Sequence, residues 1–239
     1  MRIISGRFKG RIIGFPKGIR PTQDKVREAL FNILGDISGL SFLDLYAGSG
    51  SVGLEAISRG ARRVVFVEKH RECLVKIKQN LATVGLSLKR CPGLPNMLEY
   101  RVIGRDAAKA LEQLHVRQVE KFEIVFLDPP YDKGLIPQIR PLVLPLGSTY
   151  RLRQELPLVA RAFIRLPRTP LGCPGSIAVV NESLTKKTLK MLSCYDILSS
   201  GGLIICQHFK KDILPKTFGS LVQIKQAKYG DTVLSLYKK

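Results

Sequence analysis

The segment that most restricts the fold is S-F-L-D-L-Y-A-G-S-G-S-V-G at 41–53, where an apolar run enters a glycine turn without a spacer. SFLDLYA (41–47) has the length and apolar content of a buried strand, and the residues after the turn, through Ser58, read as helix. A strand turning at once into a helix is half of a parallel βαβ unit. The rest of the chain keeps that rhythm. Val64–Val67 is a second apolar strand ending at Glu68, followed by a helix over about 70–84. Tyr100–Ile103 is a third, with Asp106 just beyond it and an N-capped helix after that. Phe122–Leu127 is a fourth, stopped by Asp128-Pro129-Pro130-Tyr131. Leu184–Leu198 reads as helix, Gly202–Cys206 as a fifth strand, and Leu221–Ala227 with Thr232–Tyr237 as a hairpin across Tyr229-Gly230-Asp231. Strands separated by helix-length segments predict an α/β fold: a doubly wound, mostly parallel sheet with a C-terminal antiparallel hairpin.

Three stretches stand outside that pattern. Residues 1–20 hold Arg2, Arg7, Lys9, Arg11, Lys17 and Arg20 and no acid, with Ile3, Ile4, Phe8, Ile12 and Ile13 flanking Gly6 and Gly10. This predicts a small basic β-hairpin extension ahead of one domain spanning 21–239. Arg7, Lys9 and Arg11 alternate along that strand and would share a face suited to phosphate. Deleting residues 1–13 is expected to leave the α/β core folded. Next, Thr22 or Asp24 caps a helix whose Val26, Leu30, Ile33 and Leu34 recur at helical spacing, ended by Gly35 and Gly39. Residues 87–98, with two prolines and a glycine, read as a loop extension. Residues 135–181 carry seven of the 14 prolines, six arginines and a single acid, Glu155, and read as an insertion, partly irregular.

Composition narrows the function. Lys plus Arg number 39 against 19 Asp plus Glu, a formal net charge of +20 in 239 residues, which favours a polyanionic partner through counterion release. No apolar run approaches the ~18 residues of a membrane span, and the start lacks the h-region of a secretory signal. The five cysteines are scattered with no C-x-x-C pair, which predicts free thiols in a reducing cytoplasm rather than disulfides or a zinc site. His70, His115 and His208 are isolated from one another, so no metal is expected. No long apolar surface stripe is visible, and a monomer is expected.

The glycine turn fits G-x-G-x-x-G, with Glu68 20 residues after Gly48. That spacing serves a nicotinamide pyrophosphate or the methionine part of S-adenosylmethionine, and a carboxylate at the Glu68 position accepts from a ribose diol in both cases. Asp44, four residues ahead of the turn, favours the second, because a carboxylate there repels a pyrophosphate but suits a cation. Asp106 is placed to accept from an adenine amine. The tetrapeptide Asp128-Pro129-Pro130-Tyr131 lies at the carboxyl edge where open α/β sheets bind ligands. A plain strand-terminating turn also uses such residues. The chemical reading explains each one: Asp128 and the Pro129 carbonyl accept from a nucleobase amine and aim its lone pair, Pro130 stiffens the backbone, and Tyr131 stacks on the base.

D-L-Y-A-G-S-G-S-V-G, D-P-P-Y and R-P-T-x-D-K-V-R-E-A-L-F-N-I-L together resemble the bacterial small-subunit ribosomal RNA guanine-N2 methyltransferases of the D type. The opening I-I-S-G-R-F-K-G-R and closing Y-G-D-T-V-L-S-L-Y resemble the same family's ends. The similarity covers most of residues 1–134 and 184–239. It implies a Rossmann-like, class I S-adenosylmethionine-dependent methyltransferase acting on the N2 amine of one guanine of 16S rRNA, the position usually numbered 966. The partner would be that rRNA or an assembling small subunit. Asp128 to Tyr131 would hold the guanine. Asp44, Tyr46, Gly48, Ser49, Gly50, Glu68 and Asp106 would surround the cofactor, Arg7, Lys9 and Arg11 would face RNA, and Arg20 and Thr22, in the R-P-T element beside the active site, would meet RNA or cofactor. The 87–98 loop lengthens the Glu68-to-Asp106 interval, and the 135–181 insertion is foreign to the family pattern. A DNA amino-methyltransferase using the same tetrapeptide, and a non-catalytic RNA-binding shell, are the competing classes.

Overall fold

In the computed structural model, which describes residues 1–16, 24–86, 98–117, 121–130 and 183–239, eight strands form one sheet. These are β1 (Ser41–Leu45), β2 (Arg63–Glu68), β3 (Glu99–Gly104), β4 (Phe122–Leu127), β5 (Leu198–Phe209), β6 (Thr217–Phe218), β7 (Leu221–Tyr229) and β8 (Thr232–Lys238). Their order is β3-β2-β1-β4-β5-β8-β7-β6. The first five run parallel, and β8, β7 and β6 continue antiparallel. The strand order reverses between β1 and β4, so the carboxyl ends of these two strands open the crevice where such sheets bind ligands. Arg20, Thr22, Tyr131, residues 87–97 and the 135–181 insertion lie outside the described residues.

The helices are α1 (Asp24–Leu34), α2 (Ser51–Ser58), α3 (Arg71–Thr83), α4 (Ala107–Val116) and α5 (Leu184–Cys194). Strand residues alternate between two cores, as a period of two dictates. Phe42, Val64, Phe66, Ile124 and Phe126 join α2 and α3 on one face. Leu43, Leu45, Val65, Val67, Val125 and Leu127 join α4 and α5 on the other. Both faces of β1 and β2 are therefore covered, and every residue of these strands is buried.

Two expectations change. Residues 184–198 were expected as one helix, but α5 stops at Cys194. Ile197 and Leu198 are buried, and Leu198 pairs with Phe122, so β5 begins there and runs through Ser199–Gly202 with a register shift. Burial of that apolar pair outweighs the local helical pattern. At the N-terminus a single antiparallel bridge, Arg2 with Ile12, replaces a regular hairpin. Residues 5–10 form turns, so the strand alternation expected of Arg7, Lys9 and Arg11 is absent, although all three are exposed.

Nor is this segment an appendage. Ile3 and Ile13 are buried in the same core as α1 and α2. The Ile4 and Ser5 amides donate to the Glu55 carboxylate at 2.8 and 3.0 Å, and the Phe8 amide donates to Ser58 Oγ at 2.9 Å. Arg27 of α1, itself buried, donates to the Arg2 carbonyl and lies 3.8 Å from Glu55. Covered in this way, all eight residues of α2 are buried. This docking counts against the expectation that residues 1–13 can be removed without disturbing the core.

Candidate active site

The glycine turn is held by two carboxyl groups reaching it from neighbouring strands. Asp44 on β1 accepts from the Gly53 amide at 2.9 Å, tying the first turn of α2 back to the sheet. Glu68, at the end of β2, accepts from the Gly48 amide through Oε2 at 2.9 Å. Its Oε1 accepts from the amides of Lys69 and His70, both at 2.8 Å. A carboxylate has about four acceptor sites, and with three taken by amides this geometry leaves room for one further hydrogen bond from a diol hydroxyl. Gly53 has a packing role: a Cβ there would lie 2.2 Å from the Phe66 ring. Gly48 is different, because a Cβ placed on it meets nothing within 4 Å. The turn thus packs tightly on its core side and is open at Gly48.

Burial pushes the Asp44 carboxyl up to about 8, against the Gly53 hydrogen bond that lowers it and with the charges of Asp128 and Glu68 adding to the rise. Asp128 and Glu68 are close enough for their charges to act on Asp44, and that carboxylate charge attracts a cation and opposes a pyrophosphate. An open turn bordered by these carboxyls fits a cationic ligand bearing a ribose. It does not fit a dinucleotide phosphate.

Asp128 follows the last ladder residue of β4 and is half-buried, Pro129 is buried, and Pro130 is exposed. Asp128 Oδ2 accepts from the Gln207 side-chain amide of β5 at 2.9 Å. Sequence reasoning missed Gln207, because only the register that pairs Leu127 with Cys206 brings it beside Asp128. It also missed Asn80 on α3. The buried Asn80 side chain accepts from the Gly14 amide at 2.8 Å and donates to the carbonyls of Gly14 and Ser49, each at 3.0 Å. Ser49 thus enters the site through its backbone.

Tyr46 departs from a direct role at the glycine turn. Its φ of 64° is unusual for a bulky residue, and its hydroxyl lies 2.7 Å from Thr188 Oγ1 on α5. Thr188 spends its own proton on the Leu184 carbonyl, so Tyr46 is the donor. Burial pushes the phenol up to about 12. Asp106 is exposed and caps α4, accepting from the Ala108 amide at 3.0 Å. His208 is buried with both ring nitrogens engaged, Nε2 lying 2.8 Å from Ser235 Oγ and Nδ1 3.1 Å from the Phe209 carbonyl. Among the described residues no group of His, Cys, Asp and Glu is arranged to hold a metal, and no helix is long and apolar enough to cross a membrane.

Comparison with known proteins gives a consistent result. The family model described as "Conserved hypothetical protein 95" matches residues 1–159. A Bacillus subtilis protein named "Putative rRNA methyltransferase YlbH" is 30% identical over 242 residues, covering 100% of this chain and 99% of that protein. The Escherichia coli "Ribosomal RNA small subunit methyltransferase D" is 37% identical over 139 residues, covering 57% of this chain and 63% of that protein. Among solved structures, "Putative methyltransferase yhhF from Escherichia coli" superposes with a TM-score of 0.65 at 26% identity, covering 100% of this chain and 97% of that one.

Proposed function

Since the chain belongs to the Conserved hypothetical protein 95 family, together with the small-subunit rRNA methyltransferase D proteins, we propose that it methylates the N2 amine of one guanine in 16S rRNA. Methyl transfer to rRNA is the coarser reading, supported by the names of relatives matched along most of the chain. The observation that carries the amine is the pairing of Asp128-Pro129 with an open glycine turn at the same sheet edge. When bound, S-adenosylmethionine supplies a methyl group on a cationic sulfur. Gly48 and Gly50 would lie against its amino acid portion, Glu68 would accept from its ribose, and Asp44 would face its positive charge.

The remaining chemistry belongs to the chain. A guanine N2 amine is a weak nucleophile because its lone pair is delocalised into the ring. Asp128 and the Pro129 carbonyl accept its two N–H bonds, which draws the nitrogen towards tetrahedral geometry and aims the lone pair at the methyl carbon. This nitrogen would take the methyl group from the bound cofactor, which leaves as a neutral thioether. Acidic only after attack, it would then pass one proton to the Asp128 carboxylate that already accepts from it, so alignment rather than a strong base supplies the rate. Tyr131 would stack on the base. The partner is 16S rRNA or an assembling small subunit.

The test is methyl transfer from labelled cofactor to 16S rRNA, assembled small subunits and duplex DNA, with the product nucleoside identified by mass spectrometry. We expect N2-methylguanosine from rRNA or subunits and nothing from DNA. Asp128→Ala should lose about 10²–10³-fold in rate, as for removal of one preorganised group, while cofactor affinity stays within a few-fold. Label in DNA adenine or cytosine would overturn the reading, and so would loss of cofactor affinity in step with rate.

A further inference from the structure

The carboxyl end of β5 presents Gln207 to the D-P-P turn, and nothing in the catalytic reading so far uses it. Gln207 is buried, and its Nε2 donates to Asp128 Oδ2 at 2.9 Å. The next residue, His208, is turned away to Ser235 on β8 and does not compete for that carboxylate. Pro129 has its backbone restrained by its own ring. Asp128 carries no such ring; it lies past the last ladder pair of β4, and rotation about its final side-chain bond is soft.

We propose that Gln207 is a positioning residue for methyl transfer, whose side-chain amide sets the plane of the Asp128 carboxylate so that it meets the incoming amine in line. The inference rests on the assignment of Asp128 to the substrate amine. In this role Gln207 acts through the Asp128 carboxylate. A hydrogen bond to an ionised carboxylate is among the stronger kinds, and here it is made at a buried donor. It restrains the acceptor before substrate arrives, and misalignment by ~1 Å costs about a hundredfold in rate.

The experiment uses the full chain with rRNA and two substitutions. Gln207→Met keeps the length and removes the donor; kcat should fall about tenfold to a hundredfold. KM for RNA, cofactor Kd by calorimetry and thermal unfolding should change little. Gln207→Glu supplies a donor only when its carboxyl is protonated, and two ionised carboxylates at this distance repel. Its activity relative to wild type should therefore rise as pH falls. Asp44 and Glu68 are present in both proteins, and because the added carboxyl is coupled to them the ratio reports the cluster as a whole. The inference is overturned if Gln207→Met keeps kcat within twofold. It is also overturned if the loss appears in cofactor Kd, or if the Gln207→Glu ratio is flat with pH. An inactive wild type sinks the methyl-transfer reading and this inference together, whereas an active wild type with unaffected variants sinks the inference alone.

Discussion

At the residue scale the least ordinary group is Asp44, a buried carboxyl held up to about 8 between the charges of Asp128 and Glu68. Its ordinary value is 3.8, so folding favours its protonated form. That contribution to stability is complete below about 4 and is lost as pH rises through about 8. Urea unfolding across this window should show wild type losing stability relative to Asp44→Asn as pH rises. A bound cation reverses the preference. Cofactor binding at pH 7 should release a fraction of a proton, seen as a calorimetric enthalpy that depends on the buffer, and Asp44→Asn should abolish that dependence. Asp44, Glu68 and the D-P-P turn were legible in the sequence because each holds a fixed offset from a strand end. Gln207 and Asn80 were not, since a single amide within a strand or helix carries no spacing signal until register and packing give it a partner. The hydroxyl contact of Tyr46 was invisible for a related reason, because its partner, Thr188, is 142 positions away.

At the scale of elements, the N-terminal segment was the main misreading. Its charges suggested a limb reaching outward. Ile3 and Ile13, equally visible in the sequence, are what bind it to α1 and α2. Glu55 is the centre of that attachment, with Arg59 at 2.9 Å, Arg27 at 3.8 Å and two backbone amides. Glu55→Ala leaves Arg27 buried beside a missing acid and should cost about 3–5 kcal/mol in urea unfolding. A value near zero would mean that the segment docks through its apolar residues alone. Strands β1 to β4, by contrast, were placed to within a residue or two, whereas β5, expected over Gly202–Cys206, spans Leu198–Phe209. Runs buried on both faces read as unbroken apolar stretches, and tertiary pairing only extended them. The end of α5 escaped because helical spacing and a strand starting at Leu198 overlap in the sequence.

At the scale of the whole molecule, a formal charge of +20 sets how the protein meets a polyanion. Because the N-terminal segment is structural, neutralising substitutions test its contacts better than deletion does. Changing Arg7, Lys9 and Arg11 together to Gln should leave the fold intact and reduce the slope of log K against log salt for rRNA by about two to three. An unchanged slope in filter-binding measurements would assign those phosphate contacts to other cations. The sheet order has a further consequence, for synthesis. β8 follows every other strand in the chain yet lies between β5 and β7. As the polypeptide leaves the ribosome, β5 and β7 therefore each lack the partner for one edge until Thr232–Lys238 has emerged. A nascent chain halted before that point exposes two strand edges primed for pairing with other chains, and the carboxyl end of β5, where Gln207 sits, lacks its neighbour.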